Sequence, residues 1–181
     1  MKYRLLCCLC IGAMLLAGCG TQAKEKEPVA TVPVYEALPL PDVKLDIPEG
    51  FEESSSQYCE KFYVKDDASI IITEDKNGPF ASTYDYSISA LAQYQNLATT
   101  VEVSSNEVMQ GANTSVQTLE FRYTLGDNAE GDLTALIGYA TDGQSMFIIT
   151  CKSNTATYEQ HKDEFAAVMR SLMLTTTGYG G

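Results

Sequence analysis

Leu133-Thr134-Ala135-Leu136-Ile137-Gly138-Tyr139-Ala140 is the stretch that decides the fold. It is apolar apart from Thr134 and Gly138, with a polar loop before it and Asp142-Gly143 after it. Side chains on a strand point alternately to two faces, so a strand covered on one side only should alternate apolar with polar. This one does not. Ile70-Ile71-Ile72 and Met146 to Ile149 repeat the pattern, and together they call for a central sheet with cover on both faces.

Working outward, Asp142-Gly143 predicts a two-residue hairpin, since a type I′ turn needs positive φ at both positions, and Ser145 to Lys152 is the strand it feeds. Upstream, Thr114 to Leu125 turns Leu119, Phe121, Tyr123 and Leu125 one way and Glu120, Arg122 and Thr124 the other. Gly111-Ala112-Asn113 joins it to Thr100–Met109, where Val101 and Val103 alternate with Glu102 and Ser104. Residues 60–66 and 68–76 read as strands meeting at Asp66-Asp67, and Val43, Leu45 and Ile47 alternate with Lys44 and Asp46.

Two helices are predicted. Ser82, with Asp85 three positions on, resembles a capping box, and the helix it opens aligns Tyr84, Ile88 and Leu91 on one face with Ala92 at its edge. Tyr86, Ala90 and Leu97 fall on the other side. The second helix, with Thr157 and Gln160 able to cap it, carries the stripe Tyr158, Phe165, Val168, Met169 and Leu172. The order is three strands, helix, four strands, helix: an α+β domain over residues 43–174, followed by a loose tail at 175–181.

Lys2 and Arg4 precede an uncharged run from Leu5 to Leu16. That is the shape of an export signal, and its twelve residues fall short of the roughly 20 needed to span a bilayer. Leu16-Ala17-Gly18-Cys19 resembles the lipobox of bacterial lipoproteins. The resemblance implies a signal peptide of residues 1–18, cleavage between Gly18 and Cys19, and acylation of the Cys19 thiol. Two or more acyl chains hold a protein stably at a bilayer. Residues 19–42 include Pro28, Pro33, Pro39 and Pro41 and read as an extended tether.

The formal charge is −12, and loss of Lys2 and Arg4 with the signal makes it −14. Nucleic acid, bound through clustered Lys and Arg, is excluded as a partner. Anionic lipid would repel so acidic a chain, which leaves adhesion to the lipid on Cys19. Of six cysteines, Cys59 and Cys151 remain after the signal and the lipid site. They form either a disulfide or two separate buried thiols.

No constellation carries catalysis. His161 is the sole histidine, at the edge of a buried stripe, which excludes a multi-His metal site and favours a structural role. Asp127, Glu130 and Asp132 share a loop but lack the spacing of an EF-hand. Asn113-Thr114-Ser115 fits a glycosylation acceptor, which is uninformative in a bacterial lipoprotein. Glu52-Glu53, Asp66-Asp67 and Glu74-Asp75 are neighbours, which on a strand face apart. Ser54-Ser55-Ser56 has no nucleophile elbow. Of the tyrosines on the first helix, at least one of Tyr84, Tyr86 and Tyr94 should point outward, where a large ring of low entropic cost suits an interface.

Leu45-Asp46-Ile47-Pro48-Glu49-Gly50-Phe51, the helix around Tyr84 to Tyr94, the Asp142-Gly143 hairpin and Tyr158…Phe165…Arg170-Ser171-Leu172 together resemble the PsbP-like superfamily, which includes DcrB-type lipoproteins. The resemblance implies an antiparallel sheet of about six to seven strands with helices packed on both faces, an α/β/α sandwich, and no reaction or cofactor. The expectation is a non-enzymatic lipoprotein on the extracytoplasmic face of a bacterial membrane, binding an envelope protein. A small-ligand binder serving a transporter is the second reading, and a hydrolase using the acidic loop the third.

Overall fold

The computed structural model describes residues 42–80, 82–126 and 131–175. Its strands are β1 (Asp42–Lys44), β2 (Glu52–Ser54), β3 (Lys61–Lys65), β4 (Ala68–Asp75), β5 (Thr100–Gln110), β6 (Ser115–Thr124), β7 (Asp132–Thr141), β8 (Met146–Asn154) and β9 (Met173–Thr175). The helices are α1 (Thr83–Leu97) and α2 (Tyr158–Ser171).

Seven strands form one antiparallel sheet in the order β2-β3-β4-β8-β7-β6-β5, and β1 pairs with β9 as a separate ribbon. The apolar strands β4, β8 and β7 lie at its middle, where both faces need cover. Register assigns the faces. Leu136, Ala140, Phe147, Ile149, Cys151 and Ile70 meet the Phe165, Val168 and Met169 stripe of α2. The alternate residues Phe121, Tyr123 and Tyr139 meet α1 through ring contacts. The sheet is therefore sandwiched between α2 on one face and α1 on the other.

The expected first strand over Val43–Ile47 is corrected. Only Asp42–Lys44 is strand, and it joins β9 outside the main sheet, in the register Asp42↔Thr175, Val43↔Leu174 and Lys44↔Met173. The main sheet takes β2 in its place. Three-residue strands are too short to show a period, so neither β2 nor β9 is visible in the sequence. Thr175 pairs with Asp42, so the strands reach one residue beyond the expected 43–174 at each end. Asn113 holds the ribbon: its amide donates to the Leu174 carbonyl at 2.8 Å and its Oδ1 accepts from Leu174 N at 2.9 Å.

The β7–β8 turn also differs. Thr141 pairs with Met146, leaving a four-residue loop, and only Gly143 has positive φ, +95°. The Asp142 carboxylate accepts from Gln144 N and Ser145 N at 2.9 and 2.8 Å and closes the loop itself. The tighter turn is at the other expected hairpin, where Lys65 pairs with Ala68 and Asp66 takes φ +52°.

Candidate functional site

Helix α1 starts where Ser82 caps it, its Oγ accepting from Asp85 N at 3.1 Å. Of its two sides, the one carrying Tyr86 and Ala90 is the one that packs. Ser87 and Ala90 are the residues buried against the sheet, and these small side chains let the helix approach closely. Tyr86 and Tyr94 straddle them. The Tyr94 ring sits 4.7 Å from Phe121 and 5.4 Å from Tyr123. The Tyr86 ring is 5.7 Å from Tyr139, and its hydroxyl donates to Asp75 Oδ2 at 3.0 Å. Ring-on-ring contact with an aromatic sheet face outweighs the aliphatic stripe. Tyr84 and Ile88 are left 53% and 40% exposed, with Leu91 half-buried beside them.

At 100° per residue Tyr84 and Ile88 lie opposite Tyr86 on the helix. Tyr86 leans toward β4, where Asp75 holds its hydroxyl, so the Tyr84–Ile88 flank lies on the side of the helix away from that bond. Among the described residues β5 pairs only with β6, and most of its eleven residues are exposed. Its pairing slips between Val103 and Ser105, so Ser104 is an extra residue. Val103 stands opposite Phe121 and Val108 opposite Gln117, both on the α1 face, whereas Glu102 and Glu107 stand opposite Arg122 and Thr118 on the α2 face. Residues five apart would otherwise fall on opposite faces. The bulge thus puts two exposed valines on the α1 face of β5 and two glutamates on its α2 face.

A second cluster ties the β3–β4 turn to α2. His161 is 7% exposed, its ring stacked 5.8 Å from Phe165, as the structural role predicts. Its Nδ1 lies 3.1 Å from Glu164 Oε2 and its Nε2 3.9 Å from Asp67 Oδ1. Lys65 Nζ reaches Glu164 Oε1 at 2.6 Å, and Thr157 donates its hydroxyl to Asp67 Oδ2 at 2.6 Å instead of capping α2. Burial pushes the Asp67 carboxyl up, but hydrogen bonds from Thr157 and Asn154, with His161, hold it below its ordinary value. Glu164 is likewise held low, Lys65 and His161 outweighing its burial. The two carboxylates engage opposite ring nitrogens and do not converge on a common point. Among the described residues no group of three or more His, Cys, Asp and Glu side chains could hold a metal ion.

Of the acidic loop, Asp127 and Glu130 lie outside the described residues, as do Gly18, Cys19 and the rest of the lipobox and tether as far as residue 41. Asp132 begins β7, ion-paired with Arg122 and accepting from Thr124 Oγ1 at 2.6 Å, which keeps its carboxyl below the usual range. Both line an open concavity of about 510 Å³ with Asn154, Thr155 and Ala156. Cys59 and Cys151 are free thiols, Cys151 buried under α2 and Cys59 half-buried before β3. Glu74 and Asp75 face apart as expected, Glu74 taking the Ser145 hydroxyl and Asp75 that of Tyr86. Among the described residues no helix is long and apolar enough to cross a membrane.

The architecture is an α+β sandwich whose fold is similar to that of PsbP. No family profile matches the chain, and no curated protein does. Solved structures do match. Cyanobacterial PsbP (CyanoP) from Synechocystis sp. PCC 6803 is similar at 14% identity and a TM-score of 0.55, covering 73% of this chain and 86% of that one. LpqN of Mycobacterium tuberculosis, described as involved in cell envelope biogenesis, is similar at 14% identity and a TM-score of 0.59 over 75% of this chain and 84% of its own. The Ran-binding protein Mog1p of Saccharomyces cerevisiae is similar at 11% identity and a TM-score of 0.51, covering 75% and 91%. At these identities the likeness is one of fold.

Proposed function

We propose that this chain is a non-catalytic lipoprotein, anchored through acylated Cys19 on the extracytoplasmic face of a bacterial membrane, whose domain binds another envelope protein. The observation that carries the reading is the set of exposed apolar side chains on the α1 side of the sheet: Tyr84 and Ile88 on the helix, Val103 and Val108 on β5. Apolar side chains grouped on a rigid scaffold, not scattered singly, are the usual mark of a docking surface. The reading gains support from LpqN, tied by its description to envelope biogenesis, and from Mog1p, described as binding another protein.

The test is a photo-crosslinking amino acid placed at Tyr84, Ile88 or Glu159 of the full chain in living cells. Positions 84 and 88 should capture one specific envelope protein, while Glu159, exposed on α2, should not. Labelling of the same proteins from all three positions, or of none, overturns the reading. The Arg122–Asp132 concavity speaks for a solute-binding role, but the charges there already satisfy each other.

A further inference from the structure

The two edges of the main sheet are unlike. β2 is a three-residue strand, and short edge strands offer little template for pairing. β5 runs for eleven residues, carries no Lys, Arg or Pro, and leaves most of its side chains in solvent. The bulge at Ser104 assigns its faces. Toward α1 stand Val101, Val103 and Val108, with Asn106 between the last two; toward α2 stand Glu102, Ser105, Glu107 and Met109. Of the cations on this face, Arg122 opposite Glu102 is ion-paired with Asp132, and Lys162 is held by Glu120, which stands opposite Ser105.

Resting on the protein-binding reading above, we infer that the β5 edge accepts an extended segment of the partner as an eighth strand, one whose side chains alternate between apolar and basic. Main-chain hydrogen bonds to the open edge would supply affinity, and alternate side chains would supply selection. Apolar residues of the incoming strand lie over Val103 and Val108 on the α1 face. Basic residues lie over Glu102 and Glu107. Because Ser105 is the single paired α2-face position between those glutamates, the two basic residues should be four apart.

Charge argues against a second copy of this chain as the occupant. In the antiparallel self-pairing centred on β5, Glu102 of each copy would face Glu107 of the other, and like charges directly opposite destabilise a strand pair. The formal charge of −12 adds repulsion between copies.

The test titrates the lipidated full chain, held in nanodiscs of neutral phosphatidylcholine, against three blocked nine-residue peptides. One alternates valine with lysine, one has the same composition with valines and lysines in separate blocks, and one alternates valine with glutamate. The alternating lysine peptide should bind roughly tenfold more tightly than either of the others, since each opposed charge pair contributes a few-fold. The double variant Glu102→Lys with Glu107→Lys, both on an exposed strand, should reverse the preference toward the glutamate peptide. Val108→Lys should weaken binding of all three.

Equal binding of the alternating and block peptides overturns the inference, and so does a charge preference that the double variant leaves unchanged. A dimer in sedimentation that Val108→Lys dissolves would assign the edge to a second copy and also overturn it. Capture of a partner from position 84 persists in any of these cases if only the strand-addition step is wrong.

Discussion

Gly138 and Met169 meet where α2 crosses β7. A Cβ on Gly138 would lie 2.5 Å from the Met169 sulfur and 2.9 Å from Cγ1 of Val116. The glycine that interrupts the apolar run of residues 133–140 is thus a point of close approach between α2 and the sheet. Gly138→Ala should cost about 1–2 kcal/mol, with Met169 swinging aside at some loss of packing, and Gly138→Val should cost more. Thermal unfolding would show the first as a fall of several degrees. An unchanged Tm for Gly138→Val would mean that α2 does not sit this close.

The packed face of α1 can be checked by paired substitutions. Tyr94→Ala removes a ring packed edge-to-face against Phe121 and Tyr123 and should destabilise by about 2–3 kcal/mol. Tyr84→Asp and Ile88→Asp, at exposed positions, should stay within about 0.5 kcal/mol of the parent in urea unfolding. The reverse ranking would place the Tyr84–Ile88–Leu91 face against the sheet.

The Asp67–His161–Glu164–Lys65 cluster sets an acid limit. Asp67 and Glu164 have folded-state pKa values below their ordinary 3.8 and 4.5. Their contribution is therefore fully present above those values and is lost as pH falls through the lower folded-state ones. Asp67→Asn should lower stability at pH 7 by about 1 kcal/mol, a figure kept small because the site is partly solvated. The deficit should shrink as the pH is taken below 3.8. Chemical denaturation on both sides of that value reads this directly, and a deficit that persists undiminished in acid would show that the carboxylate charge is not what matters.

Thiol chemistry separates the two domain cysteines. Burial pushes the Cys151 thiol up and leaves it inert, and burial also raises Cys59, which remains partly accessible. The folded mature protein should titrate with one slowly reacting thiol and the urea-unfolded protein with two. Reduction should leave its mass unchanged; a gain of two hydrogens would mean that the thiols had been bridged.

The proposed membrane attachment rests on one atom, the sulfur of Cys19. Cys19→Ser should release the protein from the membrane fraction into solution, since no basic patch is expected to retain so acidic a chain. Retention in the membrane pellet after a salt wash would defeat the proposal of a lipid anchor.

Much of this fold was legible because it depends on local periodicity. β4, β7 and β8 are apolar on both faces, and that alone calls for a sandwiched sheet. The α2 stripe from Tyr158 to Met169 has a single apolar face, so its burial followed directly. Helix α1 was harder because both its sides carry apolar residues, and only the sheet beneath it chooses between them. The cap at Thr157 failed for a similar reason: its hydroxyl had a better partner in Asp67, 90 residues away in sequence.

The sequence by itself determined the strand content of the core, the two covered faces and the formal charge, because these follow from the order of apolar and charged residues along short windows. Only the tertiary structure decided which side of α1 faces solvent, that β1 closes on β9, and that Ser104 is bulged. Each of those depends on a partner distant in the chain, and a one-residue slip in pairing reverses every side chain beyond it. The slip at Ser104 is what places Val103 and Val108 together on one face and Glu102 and Glu107 together on the other.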